Sequence, residues 1–154
     1  MSTISFLIKF GLIGLGNCRI GPSGAKEIAE YIQGSTTMTS VDLGGNKLGA
    51  EGAMAIAKML EGNATMTSVD LSFNELGPEG GKALAKSLEG NTTVTHLNLE
   101  LNQLGVEGAK AIAKMLEFNT TLTKVDLDAN NLDAAAKNAL REAVKGREGF
   151  KLYL

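Results

Sequence analysis

The sequence predicts an α/β solenoid, a stack of short repeats with parallel strands on its inner face and helices on its outer face. The first observation is a spacing of 28 residues that recurs along most of the chain. It is shared by asparagines (Asn46, Asn74, Asn102 and Asn130), by leucines (Leu43, Leu71, Leu99 and Leu127) and by glycines (Gly21, Gly49, Gly77 and Gly105). A period of this length is typical of a chain whose repeats contact only their neighbours.

Each repeat contains two hydrophobic periods in succession. Residues 40–43 alternate between polar and apolar, which is the period of a strand with one buried face. Between residues 53 and 60 the apolar side chains instead follow the spacing i, i+3, i+4, i+7 of one helix face. Gly62 and Gly90 follow the helices, where a left-handed residue is expected. Because parallel strands lie about 4.8 Å apart and packed helices roughly 8–10 Å apart, the strands must follow the inside of an arc.

We interpret the chain as a single domain of residues 1–154. The repeats are predicted at approximately 10–37, 38–65, 66–93, 94–121 and 122–149, and FKLYL at 150–154 begins a partial sixth strand in the same register. In the first repeat, Phe10, Ile13 and Leu15 occupy the apolar strand positions. In the last helix, Lys137 and Arg141 replace alanines of the earlier repeats, as expected where no further helix packs.

The recurring asparagine has a structural interpretation. It lies where the chain leaves the strand, and a buried carboxamide there can satisfy backbone donors and acceptors of adjacent turns at once. Cys18 occupies the same position in the first repeat and is predicted to be a buried turn residue. The predicted structural residues are Cys18, Asn46, Asn74, Asn102 and Asn130.

The pattern L-x-x-L-x-L-x-x-N/C-x-L, followed by G-x-E-G-A-x-A-I-A, resembles leucine-rich repeats of the ribonuclease-inhibitor-like class. That class includes the ribonuclease inhibitor, the Ran GTPase-activating protein, the C-terminal domain of tropomodulin and the sensor domains of NOD-like receptors. The resemblance covers roughly residues 10–154. It implies a right-handed horseshoe that binds proteins through its concave sheet and adjoining loops.

Composition argues against several other functions. With 15 Lys and Arg against 17 Asp and Glu, the net charge of −2 provides no basic field for nucleic acid or anionic membranes. A single cysteine excludes an internal disulfide, and a single histidine leaves little basis for a metal site or a catalytic base. His96 is therefore interpreted as a solvated surface residue, and neither a catalytic residue nor a cofactor is expected.

Two local patterns have simpler explanations than their motifs suggest. The apolar N-terminal stretch resembles a signal peptide, but it is in register with the later strands and is interpreted as the first strand. Three N-x-T sequons, at Asn63, Asn91 and Asn119, again lie 28 residues apart. We interpret them as part of a polar return loop rather than as glycosylation sites.

The outward strand positions are the candidate binding face. The predicted partner-binding residues are Asp42, Asp70, Phe73, His96, Asn98, Glu100, Leu101, Lys124, Asp126 and Asp128. Carboxylates outnumber the single lysine, which favours a basic partner. Phe73 and Leu101 share one position in successive repeats, where they either contact a partner or pack on the neighbouring turn.

The leading hypothesis is a non-catalytic, cytoplasmic protein-interaction module. One alternative, implied by the resemblance to the Ran GTPase-activating protein, is a regulator of a GTPase or of another enzyme. A second alternative is a structural element that forms homo-oligomers through its terminal strands, because an exposed strand edge can pair with another chain.

Overall fold

A computed structural model describes residues 14–154 of the chain. Five helices alternate with five strands in the described part. The helices are α1 (Gly21–Gln33), α2 (Gly49–Gly62), α3 (Gly77–Glu89), α4 (Gly105–Phe118) and α5 (Ala134–Ala143). The strands are β1 (Ser40–Asp42), β2 (Ser68–Asp70), β3 (His96–Asn98), β4 (Lys124–Asp126) and β5 (Lys151–Tyr153). The predictions for Phe10 and Ile13 in a first strand lie outside the described residues.

The strands form one parallel sheet in chain order, β1-β2-β3-β4-β5, and Gly14 adds a bridge to Asp42 beside β1. Each helix packs against the next one along the chain. The repeated leucines fill the space between the sheet and the helices, and Leu43, Leu71, Leu99 and Leu127 are completely buried. The predicted fold, an α/β solenoid with a layer of strands and a layer of helices, is confirmed.

A ladder of buried asparagines joins successive turns. The Nδ2 group of Asn46 donates to the carbonyl oxygens of Leu15 and Leu43 at 2.8 and 2.9 Å. Its Oδ1 atom accepts from the backbone N–H groups of Cys18 and Ile20 at 2.8 and 3.3 Å. The same donor pattern recurs at Asn74, Asn102 and Asn130. One carboxamide therefore satisfies backbone groups of two turns, which an apolar side chain of similar size could not do.

Cys18 differs from the predicted buried residue. Its backbone N–H group takes part in the ladder, but its side chain is exposed and its thiol donates only to the Gly16 carbonyl, at 3.5 Å. Cys18 lies in the first described turn, so the described residues pack against that turn on one side only. No turn before it is among the described residues, so none of them covers the Cys18 side chain on that side.

The prediction that the residues after the helices, Gly62 and Gly90, are left-handed is wrong. Gly62 is the last residue of α2 with an ordinary backbone conformation, and Gly90 has φ −101°. Positive φ is found instead at the first residue of α1 to α4, at Gly21 (+65°), Gly49 (+62°), Gly77 (+65°) and Gly105 (+61°), whereas α5 follows Asp133 with φ −78°. Glycine adopts this conformation without steric cost, which explains why it recurs at the start of these helices.

A second set of asparagines stabilises the return from helix to strand. Asn63, Asn91 and Asn119 are buried. The Nδ2 group of Asn91 donates to the carbonyl oxygen of Leu60 in the preceding helix at 3.0 Å. Its Oδ1 atom accepts from the N–H groups of Thr93 and Val94. These bonds explain why the helices end without a left-handed glycine, and they occupy the side chains of all three sequons.

Arg147 follows Asn119 by 28 residues and takes the same position in the last repeat. Its guanidinium donates to the carbonyl oxygens of Leu116, Asn119 and Leu122 and lies 4.4 Å from the centroid of the Phe150 ring. Burial lowers the pKa of Arg147 from its ordinary value. Arg147 therefore closes the second set of asparagines and holds the loop that leads into β5.

The last strand is shifted by one residue from the predicted register. Lys124 pairs with Lys151 and Val125 with Leu152, a step of 27 residues instead of 28. The shift places half-buried Leu152 beside the buried Val125 and leaves Tyr153 exposed.

The last helix, α5, is less buried than the helices before it: Arg141 is exposed, and only Ala136 and Leu140 are buried. None of the helices within residues 14–154 is long and apolar enough to cross a membrane.

Candidate functional site

The outward side chains of the sheet form two rows across the strands. Register places Asp42, Asp70, Asn98, Asp126 and Tyr153 side by side in one row, near the carboxyl ends of the strands. The other row contains Ser40, Ser68, His96, Lys124 and Lys151. Acidic side chains are thus concentrated on one side of the concave face, and basic side chains on the other.

Asp42 and Asp70 lie directly opposite each other on adjacent strands. The Oδ1 atom of Asp70 accepts from the N–H and hydroxyl groups of Ser72 at 2.9 and 2.7 Å, and its Oδ2 atom accepts from Nδ2 of Asn98 at 2.9 Å. The Oδ1 atom of Asp42 accepts from the N–H group of Gly44. These donors hold the two carboxylates in place and offset the repulsion between like charges.

The carboxylates of this row have no ion-pair partner within residues 14–154. The ion pairs found among residues 14–154 lie instead on or directly after the helices, and they join Lys82 with Glu79, Lys110 with Glu107 and Lys145 with Glu142. Hydrogen bonding to Glu79 raises the pKa of Lys82, and hydrogen bonding to Lys110 lowers the pKa of Glu107. The carboxylates of this row therefore make no direct ion pair within the described residues, although Lys124 and Lys151 lie in the neighbouring row.

Phe73 and Leu101 form an exposed apolar pair at the loop edge of the sheet. Their side chains are 53% and 39% exposed, so neither is buried against a neighbouring turn. Both residues have positive φ, +57° and +53°, and their N–H groups donate to the carbonyls of Glu100 and Asp128. A left-handed conformation costs a residue with a side chain about 1–2 kcal/mol, whereas Gly45 occupies the same position one repeat earlier without that cost.

A groove opens beside Phe73 where the first turns lack large side chains. Its volume is about 350 Å³, and its lining includes Gly44, Gly45, Asp42, Asp70 and the Phe73 side chain. A Cβ atom at Gly44 would lie 3.0 Å from the Ser72 hydroxyl and 3.3 Å from Oδ1 of Asp42. The glycines thus leave open a space whose lining combines the carboxylates of Asp42 and Asp70 with Phe73, and Gly16, Asn17 and Ser72 complete it.

Three further carboxylates follow the sheet towards its other end. Asp126 accepts from the N–H group of Asp128 at 3.1 Å, and the exposed Asp128 accepts from the N–H group of Ala129 at 2.9 Å. Glu100 is half-buried, and its N–H group donates to Asn98. The turns therefore continue the acidic side of the face beyond Leu101.

Sequence reasoning missed Lys151 and Tyr153 as members of this face. Lys151 lies beside Lys124, and the Nζ atom of Lys124 is 5.5 Å from the centroid of the exposed Tyr153 ring. The FKLYL segment signalled a strand, but the 28-residue step does not give the side on which its residues point. The one-residue shift in register was needed to place them.

His96 is exposed between Ser68 and Lys124, and its Nδ1 atom lies 2.8 Å from the Thr95 hydroxyl. Within residues 14–154, no group of three or more His, Cys, Asp and Glu side chains is arranged to hold a metal ion. The side chains on the described concave face carry carboxylates, amides, hydroxyls, amines and apolar groups, a combination that suits contact with the surface of another molecule.

The chain is similar to known proteins in two independent ways. A leucine-rich-repeat family model matches residues 34–57, 62–85 and 90–113. The solved structure of leiomodin-1 actin-binding site 2 is similar with a TM-score of 0.70 and 24% sequence identity, covering 88% of this chain and 81% of that one. No curated protein sequence matches the chain significantly. With the parallel sheet and the asparagine ladder, these similarities show that the chain has a leucine-rich-repeat solenoid fold, and they support the resemblance to the ribonuclease-inhibitor-like class.

Proposed function

We propose that this protein is a non-catalytic interaction module that binds a partner protein through its concave sheet and adjoining loops. The observation that carries the proposal is the exposed apolar pair of Phe73 and Leu101 beside the row of carboxylates. Exposed apolar side chains next to polar groups are characteristic of protein-binding surfaces. The left-handed conformation recurs at this position in the other described turns, at Asn17, Gly45 and Ala129, so only the exposed apolar side chains distinguish Phe73 and Leu101.

The charges of the face favour a basic surface on the partner. Asp42, Asp70 and Asp126 lie in one row without described ion pairs, and Asp128 and Glu100 extend the same side. Complementary charges increase the rate of association and select against acidic surfaces. The name of the similar leiomodin-1 domain, an actin-binding site, supports a protein as the kind of molecule bound.

Affinity capture tests this proposal with a bait in which Asp42, Asp70 and Asp126 are replaced by asparagine. Asn98 occupies the same row, and its Oδ1 atom accepts from the N–H group two residues later. Asp42, Asp70 and Asp126 each accept the same hydrogen bond through Oδ1. An asparagine at these positions can therefore keep that hydrogen bond, while the concave face loses three negative charges. The matched control replaces Glu61, Glu89 and Glu117 by glutamine, an equal charge change on the exposed outer surface of the helices.

We expect partners captured by the wild-type chain to be lost with the asparagine variant and retained with the outer-face control. Their affinity, measured on the purified pair, should also fall as the salt concentration rises. If both variants retain the same partners with the same affinity, the concave face is not the binding surface and the proposal is wrong.

Self-association through an end strand is a second candidate. Within the described residues β5 pairs only with β4, so the backbone of its outer edge is available for another strand. Light scattering over a range of concentrations tests this: growth in mass supports it, and a constant monomer mass contradicts it. Regulation of a GTPase or of another enzyme, which the family resemblance implies, remains a prediction, and a cytoplasmic location is a separate prediction.

A further inference from the structure

We infer that the groove beside Phe73 binds an arginine side chain of the partner protein, an assignment that rests on the proposed function and makes it specific. Phe73 supplies the apolar surface, and the neighbouring carboxylates supply the charge that selects the occupant. At about 350 Å³, the groove falls within the size range of sites that hold small ligand groups.

The apolar part of the argument concerns the ring of Phe73. Its side chain is 53% exposed, and no ring or cation contact to it occurs within residues 14–154. On the groove side the preceding turn has Gly44 and Gly45 where the Phe73 turn has Ser72 and Phe73 itself. Phe73 thus lines the groove while about half of it is exposed, so a long side chain of the partner can pack against it there.

The charge of the groove decides what kind of side chain that is. Asp42 and Asp70 both line the groove and are opposite each other in the sheet. The Oδ2 atom of Asp42 accepts no hydrogen bond from residues 14–154, whereas both oxygens of Asp70 have donors. Lys124 lies two strands away from Asp70, and both residues line a second pocket, but no ion pair joins them. Two carboxylates without an ion pair among the described residues complement a cationic side chain.

Arginine fits this combination better than lysine. A guanidinium is planar, so it can stack on a phenyl ring while its N–H groups point towards carboxylates at the edge of the stack. The ammonium of lysine is more strongly hydrated and lacks the flat face, so it loses more on leaving water and gains less from the ring. The groove has one ring and adjacent carboxylates, the two surfaces that a guanidinium contacts at once.

The test uses N-acetylarginine amide as the probe, with N-acetyllysine amide and N-acetylcitrulline amide as comparisons. Citrulline keeps the shape of arginine but has no charge. Chemical shifts of the backbone amides are followed by NMR during titration of the folded 154-residue chain. We expect the arginine probe to shift Gly16, Gly44, Gly45 and Ser72, the lysine probe to bind at least threefold more weakly, and the citrulline probe to leave these amides unchanged.

Variants taken from the chain's own repeats make the test specific. Phe73→Gly introduces the residue of the same position one repeat earlier, and Asp42→Asn with Asp70→Asn introduces the residue found at Asn98. Each variant should weaken binding of the arginine probe at least fivefold. Leu101→Ala, which copies Ala129, is the control and should leave binding within twofold, because Leu101 does not line the groove.

Each result has a definite meaning. Equal binding of arginine and lysine, wild-type binding by Phe73→Gly, or shifts that avoid the groove would each overturn the assignment. The proposed function is tested separately by affinity capture with the concave-face variant. An empty groove with capture still dependent on the concave face would reject only the arginine site, and an occupied groove with capture independent of that face would reject the broader proposal.

Discussion

The backbone N–H group of Asn74 donates to Oδ1 of Asn102 at 3.0 Å, although the two residues lie one repeat apart. The N–H group of Leu76 donates to the same oxygen at 3.4 Å. Each carboxamide therefore accepts from the turn before it, while its Nδ2 group donates to carbonyls of that turn and of its own. Every internal asparagine couples two adjacent turns, which makes the stack cooperative between neighbours.

Replacing Asn102 by alanine should lower the free energy of unfolding by about 1–3 kcal/mol, because buried backbone groups lose their partners. Urea unfolding followed by circular dichroism measures the change. Asn138→Ala is the control, since Asn138 is an exposed helix residue, and it should change stability little. An unfolding midpoint that is the same for Asn102→Ala and for the wild type would contradict the structural role of the ladder.

Phe73→Gly should raise the free energy of unfolding by about 0.5–1 kcal/mol, because glycine adopts the left-handed conformation without steric cost. The exposed phenyl ring contributes little packing that could offset this gain. Thermal and urea unfolding give the sign of the change. Phe118→Gly is the comparison, since Phe118 is exposed but helical, and there glycine should destabilise. Loss of stability in Phe73→Gly would show that the ring supports the fold.

The three sequons should not be glycosylated in the folded chain. Glycosylation attaches to the asparagine side-chain nitrogen, and in Asn91 that atom is buried and donates to the Leu60 carbonyl. Purified folded and urea-unfolded chains can be incubated with an oligosaccharyltransferase and compared by mass spectrometry. We expect glycans on the unfolded chain only. Thr93→Ala, which removes one sequon, identifies the signal from Asn91, and a glycan on Asn91 of the folded chain would contradict this prediction.

Arg147→Ala should destabilise the last repeat by about 1–3 kcal/mol, because carbonyl groups at the end of the stack lose their donor. Hydrogen exchange measured by NMR should show faster exchange at Lys151, whose N–H group donates to the Thr123 carbonyl, than in the wild type. Arg141→Ala provides the control, because Arg141 is exposed and its side chain hydrogen-bonds only to Asn138 in the described part of the chain. If the Lys151 amide exchanges at the same rate in Arg147→Ala and in Arg141→Ala, Arg147 does not order β5.

Much of the fold is predictable because every internal repeat contains the same local signals. The alternation around Val41 and the helical spacing from Ala53 to Leu60 predict a strand and a helix, and the structure has them at Ser40–Asp42 and Gly49–Gly62. The position of the left-handed glycine was predicted wrongly at Gly62. Sequence shows that a glycine recurs near both helix ends, but which end has positive φ depends on the hydrogen bonds of each turn, and buried asparagines close the return from helix to strand.

The candidate site was predictable only in part. Which residues face outward on β1 to β4 follows from alternation, and so does the juxtaposition of Asp42 and Asp70. Lys151 and Tyr153 could not be assigned, because one residue fewer in the last loop moves every side chain of β5 to a different row. The left-handed backbone of Phe73 could not be predicted from the sequence pattern either, because it depends on the path of the backbone through the turn.

By itself, the sequence determined the repeat length, the order of strand and helix, and the buried asparagines, because each depends on residues close in the chain or at a fixed spacing. Only the tertiary structure decided that the sequon asparagines are buried, that Arg147 replaces them in the last repeat, that Cys18 is exposed and that a groove lies beside Phe73. These features depend on which groups of neighbouring turns meet in space. A repeated pattern specifies its interior, where all turns are alike, but its ends and its surface are set by contacts that do not repeat.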